Sequence, residues 1–174
     1  MLNLNTNPIL TFYDLNYHLF AMYFQSVISY GIQFWGVLRS SMDSILVIQK
    51  RCIRIMKNVP PRTHCKPLFR ELGILTAPCV YILKCVMMIK TNPDLFPFVS
   101  ASHRYPTSRS THVQLKVVKS ASLQRSPSHV APVLFNALSE ELRLEASVRK
   151  FRAGVLQLLI NGAFYSVDEF LAEN

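Results

Sequence analysis

The sequence predicts a mainly α-helical protein: an irregular helical bundle with a loop-rich basic middle segment and at most a small β-hairpin. Half of the residues are hydrophobic and only 17% are charged, so the chain can bury a substantial core. Apolar residues recur at the spacing of a helix face in several segments. Proline and glycine stand between these segments, where they end helices or form turns.

The first two predicted elements are strongly apolar. Residues 17–28 predict a helix, and the aromatic segment between Gly31 and Gly36 predicts a tight, packed turn or a short extended piece. No charged side chain occurs over residues 15–38, a length that could span a bilayer. Polar residues interrupt this segment and a basic flank lies on only one side, so we favour a buried helix and turn over a membrane span. The aromatic side chains could stack on bases, but we expect core packing for Tyr30, Phe34 and Trp35.

The next predicted helix has one apolar and one basic face. Asp43 or Ser44 can act as its N-cap. The sequence of residues 58–61, NVPP, ends it, because proline disfavours α conformation in the residue before it. The apolar stripe consists of Ile45, Ile48, Cys52, Ile55 and Met56. The basic face consists of Lys50, Arg51, Arg54 and Lys57. We expect the stripe to be buried and the basic face to be exposed.

Two further helices are predicted in the first half of the chain. Proline in the first turn and Gly73 as a C-terminal stop predict a short helix from Pro67 to Leu72. A longer helix from Pro78 to about Lys90 is apolar on nearly every side. We therefore expect this longer helix at the centre of the bundle.

The second half begins with a polar segment. Residues 91–128 are predicted to be mostly loop, with a short strand where apolar and polar residues alternate over 113–117. Such a strand would form part of the hairpin allowed near residues 112–125. Helices are predicted from Ala131 to Leu144 and from Ser147 to Ile160, giving six or seven helices in total. Residues 166–169, SVDE, have capping-box spacing and predict the start of a short terminal helix.

The net charge of the chain is concentrated in its middle. The formal net charge is +9, from 19 basic and 10 acidic residues. Residues 50–119 hold 13 basic and only two acidic residues, whereas both flanking segments are close to neutral. A clustered surplus of this kind indicates a polyanionic partner, either nucleic acid or an anionic membrane face.

The sequence contains no pattern typical of catalysis. It has no glycine-rich phosphate loop, no HExxH and no GxSxG, and its four aspartates are scattered. Two-metal phosphoryl transfer needs converging carboxylates, and the adjacent acids Asp168 and Glu169 suit a helix start instead. A zinc site from His64, Cys65, Cys79 and Cys85 has poor spacing. We expect no catalytic residue, no metal and no cofactor.

The N-terminus and the cysteines predict the compartment. The first ten residues, MLNLNTNPIL, lack the basic region and cleavage site of a secretory signal. The four cysteines form no CxxC and three lie in apolar runs, which favours a reducing compartment. We therefore expect a cytoplasmic or nuclear protein that is not secreted.

Six segments, in order, resemble the C-terminal region of non-LTR (LINE-type) retrotransposon reverse transcriptases, particularly those of insect elements. Residues 24–36 (FQSVISYGIQFWG) resemble the SYGIxxWG segment beyond the polymerase palm, and residues 46–55 (LVIQKRCIRI) resemble the LQKRAIRI helix. The other four are residues 66–75 (KPLFRELGIL), 103–109 (HRYPTSR), 134–138 (LFNAL) and 164–171 (FYSVDEFL). Ser108, Phe135 and Ser139 depart from the pattern of the family. The resemblance covers roughly residues 17–171.

The resemblance implies the thumb and post-thumb region of a reverse transcriptase, which grips the template–primer duplex and does no chemistry. The palm motif F/Y-x-D-D and the endonuclease are absent from the sequence. The chain would then divide into an N-terminal extension (1–16), a thumb-like helical region (17–90), a basic polar connector (91–128) and a C-terminal helical region (129–174).

The resemblance and the charge pattern together predict a non-catalytic fragment of an RNA-directed DNA polymerase. We expect its partners to be RNA or an RNA/DNA duplex and the rest of the reverse transcriptase, with no small-molecule substrate. The predicted nucleic-acid-binding residues are Lys50, Arg51, Arg54, Lys57, Arg62, Lys66, Arg70, Arg104 and Arg109. One alternative is a helical protein-interaction module or a non-functional transposon relic. The other is a small protein anchored in a membrane through residues 15–38.

Overall fold

A computed structural model of the chain describes residues 23–99 and 110–173. Within these two ranges the protein is mainly α-helical and has no strand, which confirms the predicted fold class. In chain order the α-helices are α1 (Gln25–Ser29), α2 (Ile32–Trp35), α3 (Arg39–Met56), α4 (Lys66–Leu72), α5 (Ala77–Thr91), α6 (Ala121–Gln124), α7 (Pro127–Asn136), α8 (Glu140–Leu144), α9 (Val148–Gly162) and α10 (Val167–Glu173). A 3₁₀ helix covers Pro93–Leu95.

Helix α5 lies at the centre of the bundle, as its uniformly apolar sequence predicts. Ten of its 15 residues are buried. Helices α1, α2, α3, α7, α9 and α10 all pack against it. Its first turn is capped by Thr76, whose hydroxyl accepts a hydrogen bond from the Cys79 backbone N–H at 3.3 Å.

Two groups of buried residues form the core. The larger group surrounds α5 and combines residues from Ile28 to Phe170, so it joins helices of the predicted 17–90 and 129–174 regions. The smaller group lies between α3 and α4 and contains Leu46, Ile53, Met56, Cys65, Phe69, Ile74 and Ala163. The smaller group holds the basic part of α3 against α4.

The predicted start of α3 is wrong, and of its predicted apolar stripe only Met56 is buried. The helix begins at Arg39, and its N-cap residue Leu38 makes no side-chain cap. The buried face consists of Met42, Leu46, Gln49, Ile53 and Met56. Ile48 and Ile55, which were expected to be buried, are 46% and 77% exposed. The true stripe is hard to see in the sequence because one of its members is the polar residue Gln49.

The predicted helix from Ala131 to Leu144 is two helices, and the predicted strand at 113–117 is absent. Helix α7 already ends at Asn136. The side-chain amide of Asn136 accepts from the Val113 N–H at 2.8 Å and donates to the Val113 carbonyl at 3.0 Å. These bonds occupy the backbone groups that a partner strand would use, and only an isolated bridge between Phe98 and Val113 remains.

Two predicted helix boundaries are confirmed: the end of α4 at Gly73 and the start of α10 at the capping box. Gly73 ends α4 in the left-handed conformation, at a φ of 61°. Ser147 caps α9, which extends to Gly162, two residues past its predicted end. At the start of α10 the Glu169 N–H donates to the Ser166 hydroxyl at 3.0 Å. Local hydrogen bonds to serine side chains thus fix the start of α9 and the start of α10.

Short helices and exposed aromatic residues near the N-terminus differ from the prediction. Residues 17–22 of the first predicted helix and the extension 1–16 lie outside the described residues. The predicted turn is the one-turn helix α2. Tyr30 and Phe34, expected in the core, are 86% and 68% exposed, whereas Trp35 packs against the core. The described residues contain ten α-helices in place of the predicted six or seven, because four- and five-residue helices show no apolar period.

The described residues include no single helix that is long and apolar enough to cross a membrane. Helices α4 and α5 reach that threshold only as a pair, with a bend of 55° between them.

Candidate nucleic-acid interface

Seven of the nine predicted binding residues lie on one continuous stretch of the fold. They occupy the C-terminal half of α3, the segment 57–65 and α4. Arg54 is tied to that segment, because its Nε donates to the Thr63 carbonyl at 2.9 Å. Arg104 and Arg109 lie outside the described residues. The structure therefore brings the seven remaining basic residues into one region.

The arginines of this region keep most of their donors available. Arg51 and Arg62 are exposed and make no hydrogen bond or ion pair within the described part of the chain. Arg70 is also exposed, and its Nη2 donates to the Gly162 carbonyl at 3.3 Å. Arg54 is half-buried and uses only its Nε in the bond to Thr63. A guanidinium has five N–H donors, so each of these four side chains can still bind an anion.

The three lysines, in contrast, already have partners. Lys57 pairs with Glu71 at 2.5 Å, and Lys66 pairs with Glu169. The ammonium of Lys50 lies over the ring of Tyr165, 3.6 Å from its centroid, which is a cation–π contact. Burial is the main cause that lowers the pKa of Lys50 below its ordinary value. These lysines hold the fold together in addition to contributing positive charge.

Tyr165 is the centre of this basic region. Besides its contact with Lys50, the Tyr165 ring has the Lys66 ammonium 5.4 Å from its centroid. Phe69 meets the ring edge-on at 6.3 Å and His64 lies beside it at 6.4 Å. Burial raises the pKa of Tyr165 to about 12, so its hydroxyl stays protonated at neutral pH. Tyr165 thus fixes the spacing between α3, α4 and the start of α10.

Sequence reasoning did not single out Tyr165, Glu169 or Glu71 as parts of this region. Tyr165 and Glu169 belong to the FYSVDEFL segment that resembles the retrotransposon family, but no role followed from that resemblance. Glu169 is 103 residues from Lys66 in sequence. A local charge pattern could not have revealed such a pair, whereas Glu71 was visible as one of the two acids among residues 50–119.

The charge of the region remains strongly positive after these pairings. Seven basic side chains share it with the carboxylates of Glu71 and Glu169. Glu169 also accepts from the Tyr165 N–H at 2.6 Å. Burial acts to raise the pKa of Glu169, but hydrogen bonds from Lys66 and from the Tyr165 backbone outweigh it and leave the pKa below its ordinary value.

A groove about 530 Å³ in volume opens at the C-terminal end of α3. Its lining residues are Arg51, Arg54, Ile55, Asn58, Val59 and Pro61. Asn58 has a left-handed backbone, with φ at 48°, and its N–H donates to the Ile55 carbonyl at 3.0 Å. The end of α3 and the turn after it therefore form a groove that has two arginines as its walls and apolar residues as its floor.

The described residues contain no group of three His, Cys, Asp or Glu side chains placed to hold a metal ion. The four cysteines are free thiols. Burial raises the pKa of Cys79 to about 11 and that of Cys85 to about 12, so both thiols stay protonated.

Replacing Glu169 with glutamine is expected to lower the free energy of unfolding by about 1 kcal/mol at pH 7. A carboxyl whose pKa is lower in the folded state stabilises the fold above its unfolded pKa and loses that effect as pH falls through the folded pKa. The difference between wild type and Glu169→Gln should therefore shrink between pH 5 and pH 3, as measured by urea unfolding. A difference that stays constant over this range would contradict the assignment.

Comparisons of the chain with protein-family models, curated proteins and solved structures gave no match.

Proposed function

We propose that this chain is the non-catalytic thumb and post-thumb region of a non-LTR retrotransposon reverse transcriptase and that it binds the backbone of an RNA/DNA template–primer duplex. The supporting observation is the group of accessible guanidiniums in the basic region formed by α3, the segment after it and α4, namely Arg51, Arg54, Arg62 and Arg70. Arg51 and Arg62 have no competing partner among the described residues. Arg54 and Arg70 each make one hydrogen bond to a backbone carbonyl.

Arginine suits this role because of its shape and charge. The planar guanidinium can donate two parallel hydrogen bonds to a phosphate and cannot lose its proton at physiological pH. Contacts to phosphate carry no information about base identity, so such a surface would bind many sequences equally well. Thr63 holds the Arg54 side chain through Nε, which reduces the entropy lost when the side chain binds a phosphate.

The remaining predicted residues have a second role in this proposal. Lys50, Lys57 and Lys66 contribute positive potential from fixed positions while they are held by Tyr165, Glu71 and Glu169. Arg104 and Arg109 lie outside the described residues and stay predicted phosphate contacts of the connector.

One observation favours the alternative of a protein-interaction module. An apolar groove of about 650 Å³ lies beside α1, α2 and α3. It is lined by Phe24, Val27, Ile28, Tyr30, Gly31, Phe34, Trp35, Ile45 and Ile48. Exposed apolar surfaces of this kind mark contacts between proteins. In the proposed parent enzyme the partner at this surface would be the rest of the reverse transcriptase.

Competition binding tests the proposal. We expect the purified chain to bind a fluorescein-labelled RNA/DNA hybrid, measured by anisotropy, and unlabelled hybrids of unrelated sequence to compete within about twofold of each other. Poly-glutamate of equal total charge should compete at least tenfold less well, because it lacks the fixed phosphate spacing. Equal competition by poly-glutamate would favour an acidic protein partner. Primer extension or nicking by the same preparation with Mg²⁺ would contradict the non-catalytic assignment.

A further inference from the structure

We propose that the groove formed by α3 and residues 58–61 binds an unpaired nucleotide, so that the protein prefers a duplex with a single-stranded extension over a blunt duplex. The inference rests on the proposed function and deepens it. Phosphate contacts explain the arginines of the region, but they do not explain why two of them stand over an apolar floor.

The floor of the groove offers surface that a phosphate backbone cannot use. Ile55 is 77% exposed, the highest value of any large apolar residue on α3. Val59 and Pro61 lie beside it in the same groove. A base or a ribose can cover such a surface, and it gains binding energy from the apolar area removed from water.

The walls of the groove carry charge that complements a nucleotide. Arg51 and Arg54 line it, and no described acidic residue does. Guanidinium planes stack on unpaired bases as well as binding phosphates. The volume of about 530 Å³ lies within the range of small-ligand sites.

Asn58 supplies the polar group that would favour an unpaired base. Its backbone N–H bonds to Ile55, while its side-chain amide is exposed and has no hydrogen-bond partner within the described residues. An amide both donates and accepts, and it can therefore pair with the Watson–Crick edge of a base. That edge is available only when the base is unpaired.

The test compares three ligands that share one RNA/DNA hybrid. One is blunt, one carries a four-thymidine extension, and one carries four abasic nucleotides with the same phosphates. We expect the wild-type chain to bind the thymidine ligand about tenfold more tightly than the abasic one. The abasic ligand separates the effect of the bases from the effect of added charge.

The variant Ile55→Ser/Asn58→Gly removes the floor and the amide, and glycine accepts the left-handed backbone at position 58. We expect it to lose the preference for thymidine and to keep wild-type affinity for the blunt hybrid. The matched control Val47→Ser changes another exposed apolar residue of α3 and should keep the preference. Equal wild-type affinity for the thymidine and abasic ligands, or a preference that survives in the double variant, would overturn this inference and leave the proposed function intact. Failure to bind any of the three ligands would overturn both.

Discussion

Replacing Gln49 with leucine is expected to lower the free energy of unfolding by about 3 kcal/mol. The side chain is fully buried between α3 and α5. Its Nε2 donates to the Leu75 carbonyl at 3.2 Å, and its Oε1 accepts from the Ala77 N–H at 2.7 Å. Leucine would leave both backbone groups buried without a partner, which costs about 1–3 kcal/mol for each group. Urea denaturation followed by circular dichroism measures the change.

An exposed glutamine provides the control. Gln157 on α9 makes one hydrogen bond, to Asn161 one turn further along the same helix, at 3.0 Å. Gln157→Leu is expected to change the free energy of unfolding by about 0.5 kcal/mol or less. Equal stability of the two variants would contradict the role assigned to Gln49 in joining α3 to the start of α5.

Replacing Arg51, Arg62 and Arg70 together with glutamine is expected to weaken binding to an RNA/DNA hybrid by about 100-fold or more at 0.1 M salt. Each lost phosphate contact should also reduce the dependence of log K on log salt concentration by about one unit. The fold should persist, because all three side chains are exposed and, among the described residues, Arg70 alone makes a hydrogen bond, to the Gly162 carbonyl. Anisotropy titrations at two salt concentrations measure both effects.

A second triple variant separates contact from overall charge. Arg149, Lys150 and Arg152 are exposed on the first turns of α9, and their replacement by glutamine removes the same net charge. They lie about 15–20 Å along that helix from Gly162. We expect a loss in affinity of about fivefold or less and almost no change in the salt dependence. Equal losses from the two variants would show that net charge, rather than this surface, drives binding.

The arginines are a better choice for this experiment than the lysines that the sequence places beside them. Substitution of Lys50 or Lys57 would remove the contact with Tyr165 or the ion pair with Glu71. A loss of binding could then come from a change in folding. The structure therefore separates residues that hold the region together from residues that are free to bind.

Elements with a strong apolar signal could be predicted from the sequence. Helix α5 is apolar on nearly every side, and α9 has a clear apolar face and a serine cap. The register of α3 could not be predicted, because a buried polar side chain, Gln49, occupies the middle of its core face. A glutamine can be buried when backbone groups satisfy its side-chain amide. For Gln49 these groups belong to Leu75 and Ala77, which lie 26 and 28 residues further along the chain.

The candidate site was predictable in composition but not in geometry. The charge count identified the basic residues of α3 and α4, and the structure places them in one region. It also shows which of them are already paired, as Lys66 is with Glu169, at a separation of 103 residues. Such long-range pairs depend on the packing of α10 against the rest of the bundle, which no local pattern encodes.

The salt dependence of hybrid binding by the wild-type chain tests the central claim most directly. Four arginine contacts to phosphate predict that log K falls linearly with log salt concentration, with a slope of about −3.5. Anisotropy titrations at about 50 to 300 mM KCl would give this slope, because counterion release dominates the salt dependence in that range. Absence of binding at the lowest salt concentration, or an affinity that does not change with salt, would contradict the account and show that the arginine surface is only solvated.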